Sequence, residues 1–226
     1  MTKPYIICHM MTTIDGRIDC EMVAKLPGTE EYYATLTELS ASATVSGRVT
    51  AQLELSQPGI FTAQNEEAYA QEGFSKKIVA AAYEVVVDTK GTLLWQNQAD
   101  SEKPLVVITS QQVTKEYLAY LDSLQISWIV CGKEKIALVK SMKILATEFG
   151  VERVAVVGGG AINASFLAAG LLDEVSILLA PGIDGRKGMT AAFDGLSLDV
   201  EPFNLQLKNV KTYENGAIWL RYLVKK

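Results

Sequence analysis

The sequence predicts an α/β fold with a mostly parallel sheet and an antiparallel hairpin at its C-terminal end. Short apolar, β-branched runs such as EVVVD (84–88) and PLVVITS (104–110) alternate with segments of helical periodicity. This is typical of parallel strands buried between helices. Near the C-terminus the pattern changes, because FNLQLKNVKTY alternates apolar and polar residues, Asn215-Gly216 makes a turn, and AIWLRYLV returns. That order indicates an antiparallel hairpin.

The remaining strands are predicted from short apolar runs that end at turn residues. They are YIICHMM after Pro4, ATVS before Gly47, ISWIVCG, VERVAVV and VSILLA (175–180).

The helices are predicted from apolar residues at helical spacing and from capping residues. The first helix is Thr29–Leu39, with Thr29 as its N-cap, and the second spans residues 115–124. The third spans residues 134–149 and ends at Gly150 as its C-cap. Its apolar stripe consists of Ile136, Val139, Leu145 and Phe149. Residues 56–75 are polar, which indicates a surface loop and not a domain boundary. We therefore expect a single domain over residues 1–226.

Composition excludes several classes of function. The net charge of −5 and the absence of long basic runs argue against a nucleic-acid partner. Cys8, Cys20 and Cys131 form no pair at metal or redox spacing, and His9 is the only histidine. We therefore expect no metal site and three reduced thiols. The N-terminus lacks the pattern of a signal peptide, which favours a cytoplasmic protein.

Residues 154–172 carry no charge over 19 positions, which is long enough to cross a bilayer. Three consecutive glycines at 158–160 would weaken a continuous helix, and Asn163 and Ser165 add polarity. The segment is better divided into a strand (153–157), a glycine turn, a helix (161–169) and a cap at Gly170. We therefore expect no membrane span and no membrane partner.

Two strand–turn–helix junctions could bind an anion. In GGGAINASF, glycines follow a buried strand and a helix begins, so free backbone N–H groups would point at a phosphate. The pattern is not G-x-G-x-x-G, and a turn needed only for packing is equally compatible. The second junction, SGRVT (46–50), combines a glycine, an arginine and a hydroxyl, although a helix start with a solvated arginine would look the same.

Five segments, taken in order along the chain, resemble the reductase domain of bacterial riboflavin biosynthesis. They are TTIDGRI, SGRVT, VVITS, VVGGGAINASFLAAGLLDEV and APGIDG. SGRVT is also similar to the Gly-Arg-x-Thr turn of dihydrofolate reductases. The resemblance covers nearly the whole chain and corresponds to a stand-alone form without the zinc deaminase domain. It implies a dihydrofolate reductase-like three-layer fold, NADPH as the hydride donor, and a homodimer.

The resemblance also implies roles for particular residues. The cofactor pyrophosphate would be contacted by Arg48, Thr50, Gly158, Gly159, Gly160 and Ala161. Ser110 would lie near the adenosine 2′-phosphate, or would instead cap the next helix.

The substrate half of the family pattern is altered. His9 stands where riboflavin-pathway reductases carry Lys, Val157 where they carry Glu, and Glu54-Leu55 where they carry an Asp pair. The arginine expected to hold the substrate phosphate is missing, because residues 55–75 contain none; Lys76 or Lys77 could replace it.

His9 and Glu54 are the candidate catalytic residues. His9 could bind substrate or donate a proton at the cleft, or it could be a histidine satisfied within the sheet. Glu54 could serve the reaction or be a solvated helix carboxylate. Asp15 is expected to serve a turn.

We therefore expect an NADPH-dependent reductase acting on a small heterocyclic or carbonyl/imine substrate. Two alternatives stay open: a 5-amino-6-(5-phosphoribosylamino)uracil reductase with an altered substrate pocket, and a non-catalytic nucleotide-binding protein. A homodimer is expected because Trp219 and Leu223 on the C-terminal hairpin would leave an apolar edge exposed.

Overall fold

The computed structural model describes residues 3–65 and 69–225. Within them the strands are β1 Tyr5–Thr12, β2 Ala43–Gly47, β3 Gly73–Ser75, β4 Tyr83–Val87, β5 Leu105–Thr109, β6 Ser127–Val130, β7 Arg153–Gly158, β8 Glu174–Leu179, β9 Leu205–Thr212 and β10 Ile218–Val224. The helices are α1 Cys20–Val23, α2 Thr29–Glu38, α3 Arg48–Glu54, α4 Lys115–Ser123, α5 Leu138–Phe149 and α6 Gly160–Ala168.

The chain divides into two compact units. Among the described residues, the first unit comprises 3–4, 42–65 and 69–152, and the second comprises 5–41 and 153–225. Because the chain passes from one unit to the other more than once, neither unit is a continuous piece of sequence. The expectation of a single domain over the whole chain stays a prediction.

In the first unit the strands lie in the order β3-β6-β5-β4-β2. All neighbours pair in parallel except β3, which pairs antiparallel with β6. The buried apolar runs predicted the four parallel strands. The helices cover a core of aliphatic and aromatic side chains, which includes Val86, Trp95, Val107, Tyr117 and Leu121.

In the second unit the order is β7-β1-β8-β10-β9. The first three strands are parallel, and β10 and β9 add antiparallel at the edge. The core of this unit includes Ile7, Met11, Leu39, Leu178 and Trp219. The α/β class with a mostly parallel sheet and an antiparallel C-terminal hairpin is therefore confirmed.

Several local predictions were wrong. The N-cap of α2 is Gly28, with φ of 122°, and Thr29 is already the first helical residue. Helix α5 begins at Leu138 instead of residue 134, because the preceding turn closes on itself through a bond from the Ala137 N–H to the Cys131 carbonyl (3.0 Å). Val139 is 45% exposed and does not belong to the buried stripe.

Two short elements, α1 and β3, were not predicted at all. Both are shorter than the window over which periodicity can be recognised. Of the helices in the described ranges, none combines the length and apolar composition needed to cross a membrane.

Glu174 is a fully buried carboxylate at the start of β8. Its oxygens accept hydrogen bonds from Lys208 Nζ (2.6 Å), Tyr5 OH (3.0 Å) and the Arg221 guanidinium. Burial acts to raise the pKa of this carboxyl, but the bonds from Arg221 and Lys208 outweigh it and lower the pKa below its ordinary value. The carboxylate therefore stays charged and joins β8 to both strands of the hairpin.

A β-bulge in β9 makes this arrangement geometrically feasible. Arg221 pairs with Asn209 and Tyr222 pairs with Leu207, so Lys208 is the extra residue between them. Its amine can then reach Glu174. Since side chains alternate between faces, the bulge also places three apolar residues of β9 on one face, opposite the core: Leu205, Leu207 and Val210.

We predict that Glu174→Gln destabilises the fold by about 3 kcal/mol, because Arg221 and Lys208 would lose their buried counter-charge. Urea denaturation at neutral pH would measure the free energy of unfolding. The exposed Glu38→Gln on α2 is the matched control and should change stability little. Equal stability of the two variants would contradict a structural role for Glu174.

Candidate functional site

In the second unit, the carboxyl ends of three parallel neighbours meet at one edge of the sheet. The glycine turn follows β7, the segment 13–19 follows β1, and the segment 180–192 follows β8. Ligands of open α/β sheets bind outside such carboxyl ends. This edge is the place in the second unit where the sequence analysis expected a phosphate.

The three glycines of the turn have three different requirements. Gly158 is buried and has φ of 151°, a backbone conformation that side chains disfavour. Gly160 is buried as well, and a Cβ there would lie 2.3 Å from the Ala191 carbonyl oxygen. Gly159 has φ of −52° and is partly exposed. Packing therefore explains Gly160, whereas Gly159 presents accessible backbone.

Helix α6 begins directly after Gly159 and has no side-chain cap. The first N–H groups of any helix lack intrahelical acceptors, and the helix dipole places positive potential at that end. Ala161 in the first turn is exposed, so this end of the helix faces solvent. Uncapped donors beside a side-chain-free residue fit a pyrophosphate.

The two loops flanking this turn are tied together by Asp15. Its carboxylate accepts hydrogen bonds from Thr13 Oγ1 (2.7 Å) and from the backbone N–H groups of Asp184 (3.1 Å) and Gly185 (3.0 Å). The bond from Thr13 is the largest influence among those that lower the pKa of Asp15 to about 2. Asp15 thus anchors a turn, as expected from the sequence.

In the first unit, Arg48 and Thr50 lie on α3 immediately after β2. Gly47 is the N-cap and provides no side-chain hydrogen bond. The Arg48 guanidinium is exposed and donates to Gln52 Oε1 (3.1 Å) along the helix. Thr50 is partly exposed, and Glu54 is an exposed residue at the far end of the helix. This placement of Glu54 favours the solvated carboxylate.

Ser110 follows β5 at the same edge of the first unit's sheet, but its hydroxyl is occupied. It is fully buried, donates to the Thr89 carbonyl (2.9 Å) and accepts from the Gln112 N–H (3.2 Å). The alternative role as a helix cap is wrong, because Thr114 caps α4 by accepting from the Tyr117 N–H. Ser110 holds the loops after β4 and β5 together.

Beside Ser110 lies a cavity of about 720 Å³ that the sequence analysis did not identify. Its wall includes Lys90, in the loop after β4, and Gln111, in the loop after β5. Phe61, from the polar surface loop 56–75, also lines it. The sequence VVVDTKG could have indicated this cavity, because it is a buried strand followed by a glycine turn. The junctions at GGGAINASF and SGRVT were recognised from the same pattern.

His9 lies in the middle of β1 and is fully buried. The Tyr32 carbonyl lies 3.2 Å from Nε2 and can only accept, so Nε2 carries the proton. Nδ1 therefore accepts from the Ser176 hydroxyl (2.9 Å), which in turn accepts from the Trp219 indole N–H (2.8 Å). The imidazole also stacks on the Tyr32 ring at 4.7 Å between centroids.

Burial lowers the pKa of His9 to about 4. The imidazole is therefore neutral at pH 7, and both its nitrogens are engaged by the protein. This geometry favours the histidine satisfied within the sheet over the proton donor. The signal that could have indicated this was the apolar sequence around His9, which predicts a buried strand.

The two lysines suggested for a substrate phosphate are engaged within the first unit. Lys76 Nζ donates to the Glu148 carbonyl (2.9 Å) and lies over the Phe149 ring. Lys77 Nζ forms an ion pair with Asp122 at 2.8 Å. Neither is a ready replacement for the missing arginine.

Comparison with known proteins identifies the family. The family model of the RibD C-terminal domain matches residues 4–219. The chain belongs to this family. Membership of the RibD C-terminal domain family confirms the resemblance inferred from the sequence motifs.

Named relatives of this RibD C-terminal domain are reductases or reductase-like proteins. The 2,5-diamino-6-ribosylamino-4(3H)-pyrimidinone 5′-phosphate reductase of Methanothermobacter thermautotrophicus is 30% identical over 128 residues, which span 56% of this chain and 58% of that relative. The match thus spans little more than half the length of the relative.

Solved structures share the fold. A pyrimidine reductase-like protein from Corynebacterium diphtheriae superposes with a TM-score of 0.71 at 18% identity, covering 99% of this chain and 92% of the other. The riboflavin biosynthesis reductase Rib7 of Saccharomyces cerevisiae gives a TM-score of 0.60 at 15% identity, covering 99% and 90%. At these identities the likeness establishes the fold, which is the reductase-like α/β fold expected from the sequence.

The buried, neutral state of His9 predicts a pH dependence of stability. The unfolded histidine gains a proton near its ordinary pKa of 6.5, whereas the folded one gains it near 4. His9 therefore contributes stability above pH 6.5 that is lost as the pH falls toward 4, on the order of 3 kcal/mol.

Since His9 is the only histidine, its imidazole resonances in an NMR titration report its pKa directly. The free energy of unfolding of His9→Gln should also be measured across the same pH range. It should lack the loss of stability between pH 6.5 and pH 4 that His9 causes. An observed pKa at or above 6.5 would contradict the buried, neutral assignment.

Proposed function

We propose that this RibD C-terminal domain is a reductase that uses NADPH to reduce a phosphorylated ribosylaminopyrimidine of riboflavin biosynthesis. The observation that carries the proposal is the uncapped N-terminus of α6 behind an accessible Gly159, in a chain of this family. The names of the relatives favour a pyrimidine substrate over the unspecified heterocyclic or carbonyl/imine compound expected from the sequence.

In this proposal NADPH supplies the hydride when bound. The backbone N–H groups of Gly160 and Ala161 donate to its pyrophosphate, and Gly159 allows the phosphate oxygens to approach. The buried Gly160 keeps the helix against the segment that contains Ala191. The assignments of Arg48 and Thr50 to the cofactor stay predictions from the family resemblance.

The chain's own residues limit how a proton can be delivered. His9 is neutral, and its single N–H is already donated to the Tyr32 carbonyl, so we do not assign it a proton transfer. Its role in the proposal is to hold β1, β8 and β10 in register beneath the sheet edge. Glu54 is likewise given no catalytic role, because it is exposed at the end of α3.

The departures from the family pattern make the substrate the part of the proposal to test first. Purified protein would be assayed for NADPH oxidation with the phosphorylated ribosylaminopyrimidine and with its dephosphorylated form. Turnover of the phosphorylated compound supports the proposal. Turnover of only an unphosphorylated heterocycle or imine would support the broader reductase, and NADPH binding with no turnover on any of them would support a non-catalytic nucleotide-binding protein.

We further propose a homodimer, for a different reason from the one the sequence suggested. Trp219 is 1% exposed and belongs to the core of the second unit, so it does not form an apolar edge. The exposed apolar face consists of Leu205, Leu207 and Val210, which are 39%, 54% and 46% exposed. An apolar sheet face of this kind is typically covered by a partner, and a second copy is the simplest one.

We predict that Gly159→Val abolishes NADPH binding while the protein stays folded. Its φ of −52° is accessible to valine, but the side chain would occupy the space that the phosphate oxygens need. Calorimetric titration with NADPH and circular dichroism measure the two properties separately.

Gly160→Val is the matched comparison in the same turn. It should lose stability instead, because its side chain would collide with the Ala191 carbonyl and with Thr190 Cγ2, 2.3 and 2.8 Å from the Cβ position. Normal NADPH affinity in folded Gly159→Val would refute the phosphate assignment of this turn.

For the homodimer, we predict that Leu207→Glu shifts the protein to monomers, since a charge would be buried in the interface without a partner. Sedimentation velocity at micromolar concentration measures the assembly. Gln206→Glu, which places the same charge on the opposite face of β9, is the control and should leave the dimer intact. A monomeric native protein at that concentration would contradict the proposal.

A further inference from the structure

The chain that follows β8 crosses the carboxyl end of β1. In the sheet of the second unit, β1 lies between β7 and β8. Residues 189–194 come after β8, yet the Asp194 N–H donates to the Gly160 carbonyl (3.2 Å), at the glycine turn after β7. Between these points the Ala192 N–H donates to the Gly16 carbonyl (3.1 Å), in the loop after β1. We call residues 189–194 the strap, because they join the ends of three neighbouring strands.

Two side chains hold carbonyl groups of the strap, one at its start and one in its middle. The Arg17 guanidinium, in the loop after β1, donates from Nη1 to the Met189 carbonyl. The Asn163 amide, on α6, donates from Nδ2 to the Ala192 carbonyl (2.7 Å). The strap is therefore a common partner of the loop after β1 and of helix α6.

Both of these side chains carry a buried polar atom that forms no hydrogen bond. Asn163 is fully buried, and its Oδ1 has no hydrogen-bond partner among the described residues. The same holds for the buried Nε of Arg17, which lies 3.8 Å from Oδ2 of Asp15. Since a buried polar atom without a hydrogen bond costs free energy, an apolar residue would serve packing better at position 163. Polar side chains with such a cost are expected where function requires them.

The strap lies directly against the first turn of α6. A Cβ at Gly160 would be 2.3 Å from the Ala191 carbonyl oxygen and 2.8 Å from Thr190 Cγ2. Because helical side chains lean toward the N-terminus of their helix, the Asn163 amide lies over the same turn. The uncapped N–H groups of this turn are those that we propose for the pyrophosphate. The shape of the anion site therefore depends on where the strap lies.

We infer that Asn163 is a positioning residue, which holds the strap on the first turn of α6 and so keeps the glycine turn in the shape that binds a pyrophosphate. Arg17 does the same from the other end of the strap. Both act through the strap and do not contact the ligand. The inference rests on the proposed function for the nature of the anion, and the contacts of the strap carry the rest of it.

Asn163→Ala tests the inference, because it removes the donor to the strap and the unpaired oxygen without adding bulk. NADPH and inorganic pyrophosphate should each bind about 5-fold more weakly, the scale expected from one lost hydrogen bond. Calorimetric titration at a temperature where the variant is fully folded measures these affinities, and urea denaturation measures stability. A residue with a purely structural role would lower stability and leave the affinity of the folded protein unchanged.

Hydrogen exchange reports directly how firmly the strap is attached. In Asn163→Ala the N–H groups of Ala192 and Asp194 should exchange about 5-fold faster, whereas those of β1 should keep their native rates. Ser165→Ala is the matched control on the same helix, since the exposed Ser165 hydroxyl donates within α6 to the Ala161 carbonyl (2.7 Å). It should change neither the exchange of the strap nor the affinity.

Two substitutions of Arg17 test the other end of the strap, and they decide the matter if Asn163→Ala does not fold. Arg17→Met should weaken pyrophosphate binding about 5-fold as well. Arg17→Lys should restore most of the affinity, because an ammonium group can still donate to the Met189 carbonyl. Lys187→Met removes an exposed positive charge from the same loop without removing a hold on the strap, and should leave the affinity unchanged.

Several results would overturn the inference. They are native affinity in the folded Asn163 and Arg17 variants, unchanged exchange of the strap, and a native protein that binds neither NADPH nor pyrophosphate. Equal losses in Lys187→Met and Arg17→Met would also overturn it, since charge and not the strap would then control the affinity. Turnover is assayed separately. Pyrophosphate binding that depends on Asn163, in a protein that does not oxidise NADPH, would support this inference and reject the proposed function.

Discussion

Parallel strand pairing is the constraint on which the rest of the molecule depends. Because β7, β1 and β8 run in the same direction, their carboxyl ends must meet at one edge, and the same holds for β2, β4 and β5 in the other unit. Each connection must then begin at that edge. Glycines with positive φ, such as Gly91 and Gly158, lie there because the chain has to turn sharply within a few residues.

A series of buried, hydrogen-bonded polar groups lies beneath the sheet edge of the second unit. It shows how His9, where the family pattern expects Lys, is accommodated. Trp219, Ser176, His9 and the Tyr32 carbonyl form one directional series of hydrogen bonds across β10, β8, β1 and α2. Each donor has an acceptor, so the polar atoms are buried without an unmet bond. A neutral imidazole fits this position better than an ammonium group, which would need a counter-charge. His9 is therefore part of the packing of the second unit.

The sequence predicted the elements whose signals are local and long enough. The buried strands, Gly150 as a left-handed C-cap and the Asn215-Gly216 turn are read from neighbouring residues alone. The start of α5 and the exposure of Val139 depend on how a preceding turn closes, which periodicity does not report. The environments of His9 and Ser110 depend on partners more than twenty residues away, so the sequence could name these residues but not their state. The cavity beside Ser110 was overlooked because the turn after β4 lacks a family motif.

The bulge at Lys208 has a consequence for how copies of the chain can meet. Strand β9 is an exposed edge, and a regular edge strand invites other strands to extend the sheet without limit. An extra residue kinks the strand and disturbs the spacing of its outward N–H and C=O groups, so a foreign strand cannot match it along its full length. The same residue gathers the apolar side chains onto one face. In the proposed dimer, association would therefore use a closed, face-to-face contact and avoid open-ended growth into fibrils.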